Sequence, residues 1–406
     1  MKKTLLIIGG GIEAFAGIKI AKSLGLSLII ADGNPQAPGF VMADHKLISS
    51  TYDGDLIASQ AEALVQRGIA IDGVIAMCAD VPLTVAKVAK KIGLPGLSLQ
   101  SAHWVADKLL MKEQLLKLGI PIPKFKQVNA ADELNEIAKH FKTPFIIKPV
   151  DSRGARGVQL IENPSQYDAG FKLAQKESPT GRVMVEEYLT GPQISTETLV
   201  DQGTCYTLGF ADRNYEWLEQ TKPFLIENGG DSPSYLSSNQ QQAVTKTVEN
   251  AALALGIYSG VAKGDMVLTE DGPKVIEIAG RLSGGYFSTT QIPLSTGINF
   301  IEHAIKLALG ENLDPQQLIP TRRRGVAIRY LHLPTGVVEE IMGIEEAQKT
   351  PGVELLSVSI KQGDSIPALN NHTQRIGFVI TSANTKQLAI ERANSALSFI
   401  KVKYAD

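Results

Sequence analysis

Between Phe145 and Val158 the chain reads FIIKPVDSRGARGV, a strand that carries a lysine into a glycine-rich loop. Phe145, Ile146 and Ile147 form a short β-prone run. Lys148 follows, and Pro149, which has no N–H for a ladder, closes the strand. In the loop Ser152, Arg153, Gly154, Arg156 and Gly157 combine close backbone approach with fixed positive charge, a combination suited to a polyphosphate. The loop lacks the G-x-x-x-x-G-K-[ST] spacing of a Walker loop. Taken alone, it reads equally as a basic hairpin turn.

Two stretches farther on favour the phosphate reading. Val183–Glu197 (VMVEEYLTGPQISTE) is a β-rich run, then paired acids, an aromatic residue, a Gly191-Pro192 break and a second β-prone run. Gly260–Gly285 reads as two antiparallel strands joined at Glu270-Asp271-Gly272-Pro273. Asp265 and Glu277 sit on those strands, with the turn about midway, so they can meet across the hairpin. Adjacent carboxylates repel unless a cation lies between them, and Mg²⁺ on substrate phosphates fits such a pair.

The first hundred residues alternate strand and helix. Strands are predicted at Leu5–Ile8, Leu28–Ala31 and Gly73–Met77, and helices at Glu13–Leu24 and Pro82–Ile92, giving a doubly wound parallel sheet. Gly9, Gly11 and Ala14 with Asp32 also match a dinucleotide fingerprint, a weak signal when it stands alone. Asp80, just before Pro82, reads as a helix cap. Ser101–Leu118 reads as one helix ended by Gly119 and Pro121, with Lys108 and Lys112 on one face. Lys112 is expected to be solvated. Asp212–Asn214 and Glu227–Gly230 fall in a turn-rich stretch that either lines a pocket or is simply exposed.

Composition narrows the function classes. The 406 residues are 44% hydrophobic and 20% charged, with net charge −2, so there is no basic field for nucleic acid. Arg322–Arg324 is too short for a binding patch. The cysteines, Cys78 and Cys205, lie in apolar runs and read as buried thiols of a reducing compartment. The opening MKKTLLIIGGG is too short for a signal or a membrane span, which leads us to expect a cytoplasmic protein. None of the six histidines pairs with another at metal-ligand spacing.

The ordered set of ADKLLMKEQLLKLGIPIPKF at Ala106–Phe125, the lysine–glycine loop, E-E-x-L-x-G from Glu186 and the paired carboxylates resembles the ATP-grasp superfamily. Within it the chain resembles carbamoyl-phosphate-synthase-large-chain-like proteins and carboxylate–amine ligases of the L-amino-acid-ligase type. ATP-grasp proteins of this kind begin with a glycine-turn domain that binds no dinucleotide, which argues against NAD(P). The resemblance implies that Lys108 and Lys148 reach the nucleotide phosphates, under a loop of Ser152, Arg153, Gly154 and Gly157. It implies that Glu186, Glu187, Tyr188 and Leu189 hold adenine, with the carboxylate of Glu186 on the exocyclic amine. Gln193 stands where relatives place a glutamate for the ribose. Glutamine can still accept from a hydroxyl, without the charge-assisted part of the bond. Glu197 could compensate for it, but an ordinary strand carboxylate is the expectation.

Asp265 and Glu277 would hold Mg²⁺, with Mn²⁺ as a substitute, and Arg281 would stabilise charge on the reacting oxygens. Ala279 departs from the family's E-x-N-x-R, because alanine cannot ligate a metal. A small residue before the arginine and paired glycines after it are similar to some amino-acid ligases. Strands at Val326–Leu331 and Gly377–Thr381, a helix at Lys386–Phe399 and an H-T-x-R-x-G run at His372–Gly377 resemble the C-terminal domain of carboxylase-like members. That region is read as structural, closing the site and offering a homodimer surface.

The expected fold is α/β: an N-terminal doubly wound domain over 1–105, an ATP-grasp domain over 106–310 with a lid at about 119–185, and a C-terminal α+β domain over 311–406. The expected activity is an ATP-dependent carboxylate–amine ligase acting through an acylphosphate on an amino acid or other small carboxylate. Three rivals remain: a bicarbonate-using carboxylase or carbamoyl-phosphate-type enzyme, a non-catalytic ATP-binding regulator, and a nicotinamide-dependent oxidoreductase.

Overall fold

The computed structural model describes residues 2–141 and 143–405. In the first layer, strands His45–Ile48, Ser27–Asp32, Thr4–Ile8 and Gly73–Ala76 form a parallel sheet in that order. Successive side chains of a strand face opposite ways, so an apolar run is stable only with both faces covered. Leu5 and Ile7 pack with Ile18, Phe300, Ile301 and Ile305. Leu6 and Ile8 pack with Ile57, Ala61 and Val88 on the other face. One cover is therefore long-range: the helix Phe300–Ala308 returns from nearly three hundred residues on to finish the first sheet.

A smaller antiparallel sheet has the order Phe125–Val128, Val183–Glu187, Phe145–Pro149, Gln159–Ile161. Phe145, Ile147, Val183 and Val185 bury against the helices Glu133–Phe141 and Tyr167–Glu177. The alternation turns Ile146, Lys148 and Glu186 to the opposite face. Each buried aliphatic chain on the helix side contributes about 1.5–3 kcal/mol, which fixes the register and thereby aims the lysine.

The largest sheet runs Gly272–Ala279, Gly260–Thr269, Gln193–Asp201, Thr204–Asn214, Gly229–Ser232, Gly325–Tyr330, Gly377–Ala383, Val353–Val358. Strands from beyond residue 311 thus extend the sheet that carries Asp265 and Glu277. The helix Lys386–Phe399 covers its C-terminal part through Ala389, Ala393 and Ala396. The stretches at 212–214 and 229–230, read from sequence as turn-rich, instead supply paired strand residues, with Asp212, Arg213 and Asn214 facing Asp231, Gly230 and Gly229, while Glu227 and Asn228 stay outside the strand. Among the described residues no helix is long and apolar enough to cross a membrane.

Ser101–Leu118 is not one helix. It breaks into Leu99–Ala106 and Lys108–Lys117 at Asp107, whose backbone is extended (φ −122°, ψ 111°). The Asp107 carboxylate accepts from the N–H groups of Leu109 and Leu110, both at 3.0 Å, and it also pairs with Arg182. An aspartate that satisfies two orphan donors caps a new helix more favourably than it continues an old one. Asp107→Ala should lower stability by about 1–2 kcal/mol in urea melts, and Asp107→Asn, which keeps the capping oxygen, should recover much of that loss.

Candidate active site

The sheets enclose a cleft of about 810 Å³. Lys108, Lys148, Ser152, Arg153, Gly154, Glu186, Glu187, Tyr188, Leu189, Gln193, Asp265, Glu277 and Arg281 all line it. Gly157 does not. Its φ of +73° and a Cβ position 2.9 Å from Glu177 and 3.0 Å from Pro149 make it a turn and packing residue.

At the loop, Gly154 and Ala155 take successive left-handed conformations (φ 65° and 59°). For alanine that conformation costs of order 1–3 kcal/mol and persists only where the surroundings impose it. The Ser152 hydroxyl is buried and has no hydrogen-bond partner among the described residues, and its carbonyl accepts from Lys108 Nζ at 2.9 Å. Lys108 also lies 3.2 Å from Glu277.

Below the loop, Glu186 is enclosed by two lysines. Its Oε1 lies 2.6 Å from Lys148 Nζ and its Oε2 lies 2.7 Å from Lys112 Nζ. Lys112 is fully buried and donates to the Ile276 carbonyl at 3.0 Å, so it is not the solvated residue expected from its helical position. Burial pulls Lys112 down to about 8. Burial alone would raise the Glu186 carboxyl, but Lys112 and Lys148 outweigh it and hold it below the usual range. Each carboxylate oxygen thus faces a lysine, and Glu186 still lines the cleft. Glu187 lines the cleft and its Oε2 accepts from the Lys124 N–H at 3.2 Å. At Tyr188 and Leu189 the chain leaves its strand along the cleft wall.

Asp265 and Glu277 are register partners across the predicted hairpin and share a face. Arg213 lies 2.9 Å from Asp265 and 2.6 Å from Glu227, while Lys263 pairs with Asp265 from the same strand. Burial would raise the Asp265 carboxyl, but Arg213 and Lys263 hold it far below the usual range. Among the described residues no group of three or more His, Cys, Asp or Glu is arranged to hold a metal by itself.

Asp80 is not a helix cap. The helix Pro82–Ile92 starts from Val81 without a side-chain cap, and Asp80 lies 3.3 Å from Arg281 and 3.6 Å from Arg153. It joins the proposed catalytic arginine to the loop. Glu197 is more than an ordinary strand carboxylate. Fully buried, it accepts from the Ser283 N–H at 3.0 Å, the Ser288 hydroxyl at 2.7 Å and the Ser283 hydroxyl, pinning the segment that follows Arg281. Burial raises its carboxyl pKa. Cys78 and Cys205 are partly rather than fully buried, and Cys78 forms part of the cleft wall.

The H-T-x-R-x-G run does close the site, and it also contributes side chains to the wall. His372, Thr373 and Arg375 line the cleft, and the His372 N–H donates to the Gly154 carbonyl at 2.9 Å. His372 Nε2 accepts from the Glu227 N–H at 3.2 Å. At the other end, Asp32 accepts from the Gly10 N–H (2.7 Å) and the Asn34 N–H (2.8 Å). It braces the glycine turn through both oxygens.

Comparison with known proteins agrees with this geometry. Residues 105–285 match the ATP-grasp domain. More particularly, residues 329–405 match L-amino acid ligase C-terminal domain 2. An uncharacterized protein of Sinorhizobium fredii, y4rH, is 26% identical over 419 residues, covering 100% of this chain and 84% of that protein. The carbamoyl phosphate synthase large chain of a Thermotoga species is 24% identical over 86% of this chain, which spans only 31% of that protein. The crystal structure of L-amino acid ligase from Bacillus licheniformis superposes with a TM-score of 0.83 at 22% identity, covering 100% of this chain and 99% of that one.

Burial, aided by Arg375, drives the His372 pKa from 6.5 to about 3. Between those values the unfolded chain binds a proton that the folded chain refuses, so this histidine makes stability fall as pH drops through the window. His372→Gln should therefore show a shallower decline in urea midpoint from pH 6.5 to 3 than the parent protein.

Proposed function

We propose that this protein is an ATP-dependent carboxylate–amine ligase, taking an amino acid or other small carboxylate and releasing ADP and phosphate. The observation that carries the reading is the convergence on one cleft of Lys108, Lys148, the 152–154 loop, Asp265, Glu277 and Arg281. In this reading Lys108, Lys148 and the loop, with Ser152, Arg153 and Gly154, take the phosphates. Tyr188, Leu189 and Gln193 line the space for base and ribose.

Asp265 and Glu277 fit a hard cation that keeps most of its ligands as phosphate oxygens and water, since they offer carboxylates on one face and Ala279 offers none. Mg²⁺ bound there supplies charge neutralisation on the phosphates, with Mn²⁺ as a substitute. Until then Arg213, Lys263 and Lys108 balance the two carboxylates.

Attack of the substrate carboxylate on the γ-phosphate gives an acylphosphate, and the amine then displaces phosphate. Both steps build negative charge on oxygen. Arg281, held by Asp80, and the Gly284 N–H stabilise that charge without reorganising. The match to carbamoyl phosphate synthase makes bicarbonate the acid to test as a competitor.

Purified protein with Mg·ATP should release ADP and phosphate when an acid and an amine are both present, and bicarbonate should not replace the acid. Turnover with bicarbonate alone would overturn the ligase reading. Lys148→Ala should weaken ATP binding by at least about tenfold in calorimetry, because it removes a desolvated charge and leaves Glu186 to Lys112 alone. Glu277→Gln should raise the Mg²⁺ concentration needed for half-maximal rate while leaving the melting curve near that of the parent.

A further inference from the structure

Seven carboxylates line the cleft, and five of them face a lysine or arginine: Asp80, Glu186, Glu227, Asp265 and Glu277. Among the described residues the other two have only backbone donors. Glu187 is one, at the end of the strand Val183–Glu187. The other is Glu13, on the turn before the helix Phe15–Ser23.

Glu13 is exposed to the cleft, and its Oε2 accepts a single hydrogen bond, from the Gly285 N–H at 3.1 Å. The neighbouring backbone is cleared for it, since a Cβ on Gly284 would stand 3.0 Å from that oxygen. Gly285 lies four residues beyond Arg281 and next to Tyr286, whose ring packs on Phe378 with centroids 4.7 Å apart. An uncompensated carboxylate beside an aromatic wall, close to the arginine of the reacting centre, has the chemistry of a site for a small ammonium group.

We propose that Glu13 binds the ammonium group of the amine substrate and takes the proton that its nitrogen must lose before attack. This rests on the ligase reading above. The balance is simple. R–NH₃⁺ gives one proton to the Glu13 carboxylate, and the freed lone pair forms the C–N bond as the C–O bond to phosphate breaks. The second N–H proton leaves with the phosphate, and Glu13 returns its proton to solvent. Other cleft groups are less suited. Asp80 is held between two arginines, and the Nε2 of His372 is already committed to the Glu227 N–H.

Hydroxylamine separates this role from a structural one, because it is largely neutral near pH 7 and attacks acylphosphates without a base. Parent and Glu13→Gln proteins would be given Mg·ATP and a pool of proteinogenic amino acids, with and without hydroxylamine. Peptides and hydroxamates would be counted by mass spectrometry. Glu13→Gln should lower peptide formation about a hundredfold while hydroxamate formation stays within about twofold, and the peptide deficit should shrink as pH rises and frees the amine. Equal loss of both products would assign Glu13 to acid binding or folding, and loss of neither would remove it from the reaction; either overturns the proposal. If the parent makes neither product from any acid, the ligase reading itself fails, and this proposal with it.

Discussion

Three buried charges, Lys112, Glu186 and Lys148, tie the nucleotide end of the cleft together. They come from the helix Lys108–Lys117 and from two strands of the small sheet, and Lys112 reaches on to the Ile276 carbonyl of the large sheet. Removing one partner of such a set leaves an uncompensated buried charge, at a cost of roughly 3–5 kcal/mol. The set also keeps a net positive charge at the cleft wall, since two ammonium groups share one carboxylate. Lys148 is therefore held rigidly by Glu186 without being fully neutralised, which suits it to an anionic ligand.

Around this set, the cleft is assembled from distant parts of the chain. The first sheet brings Asp80 to Arg281 and Arg153, and the C-terminal strands bring His372 to the backbone of Gly154. The loop over the proposed phosphate site is thus touched by the N-terminal and the C-terminal layer alike. A local change in either layer reaches the site through one hydrogen bond or ion pair.

Much of the fold was legible because it rests on local rules. Alternating strand and helix signals located the first sheet, and the Pro82–Ile92 and Lys386–Phe399 helices fall where the sequence predicted them. The Asp265–Glu277 pairing followed from counting residues across a turn. The misreadings share one cause: the deciding partner is far away in sequence. Lys112 looked solvated because its partner Glu186 lies on another element, and Asp80 looked like a cap because Arg281 lies two hundred residues on. Asp107 was a local miss, since a helix-capping residue was legible at a position where the apolar pattern suggested continuity. His372 and Arg375 were noticed as a motif, but only the return of that segment to the Gly154 loop makes them wall residues.

The central claim is that a substrate carboxylate is activated by direct phosphorylation in this cleft. Its most direct test uses an acid substrate labelled with ¹⁸O in the carboxyl group, with Mg·ATP and the amine. The account predicts that one labelled oxygen leaves with each phosphate released. Phosphate free of label, with both labelled oxygens retained in the acid or one of them carried away on AMP, would contradict it.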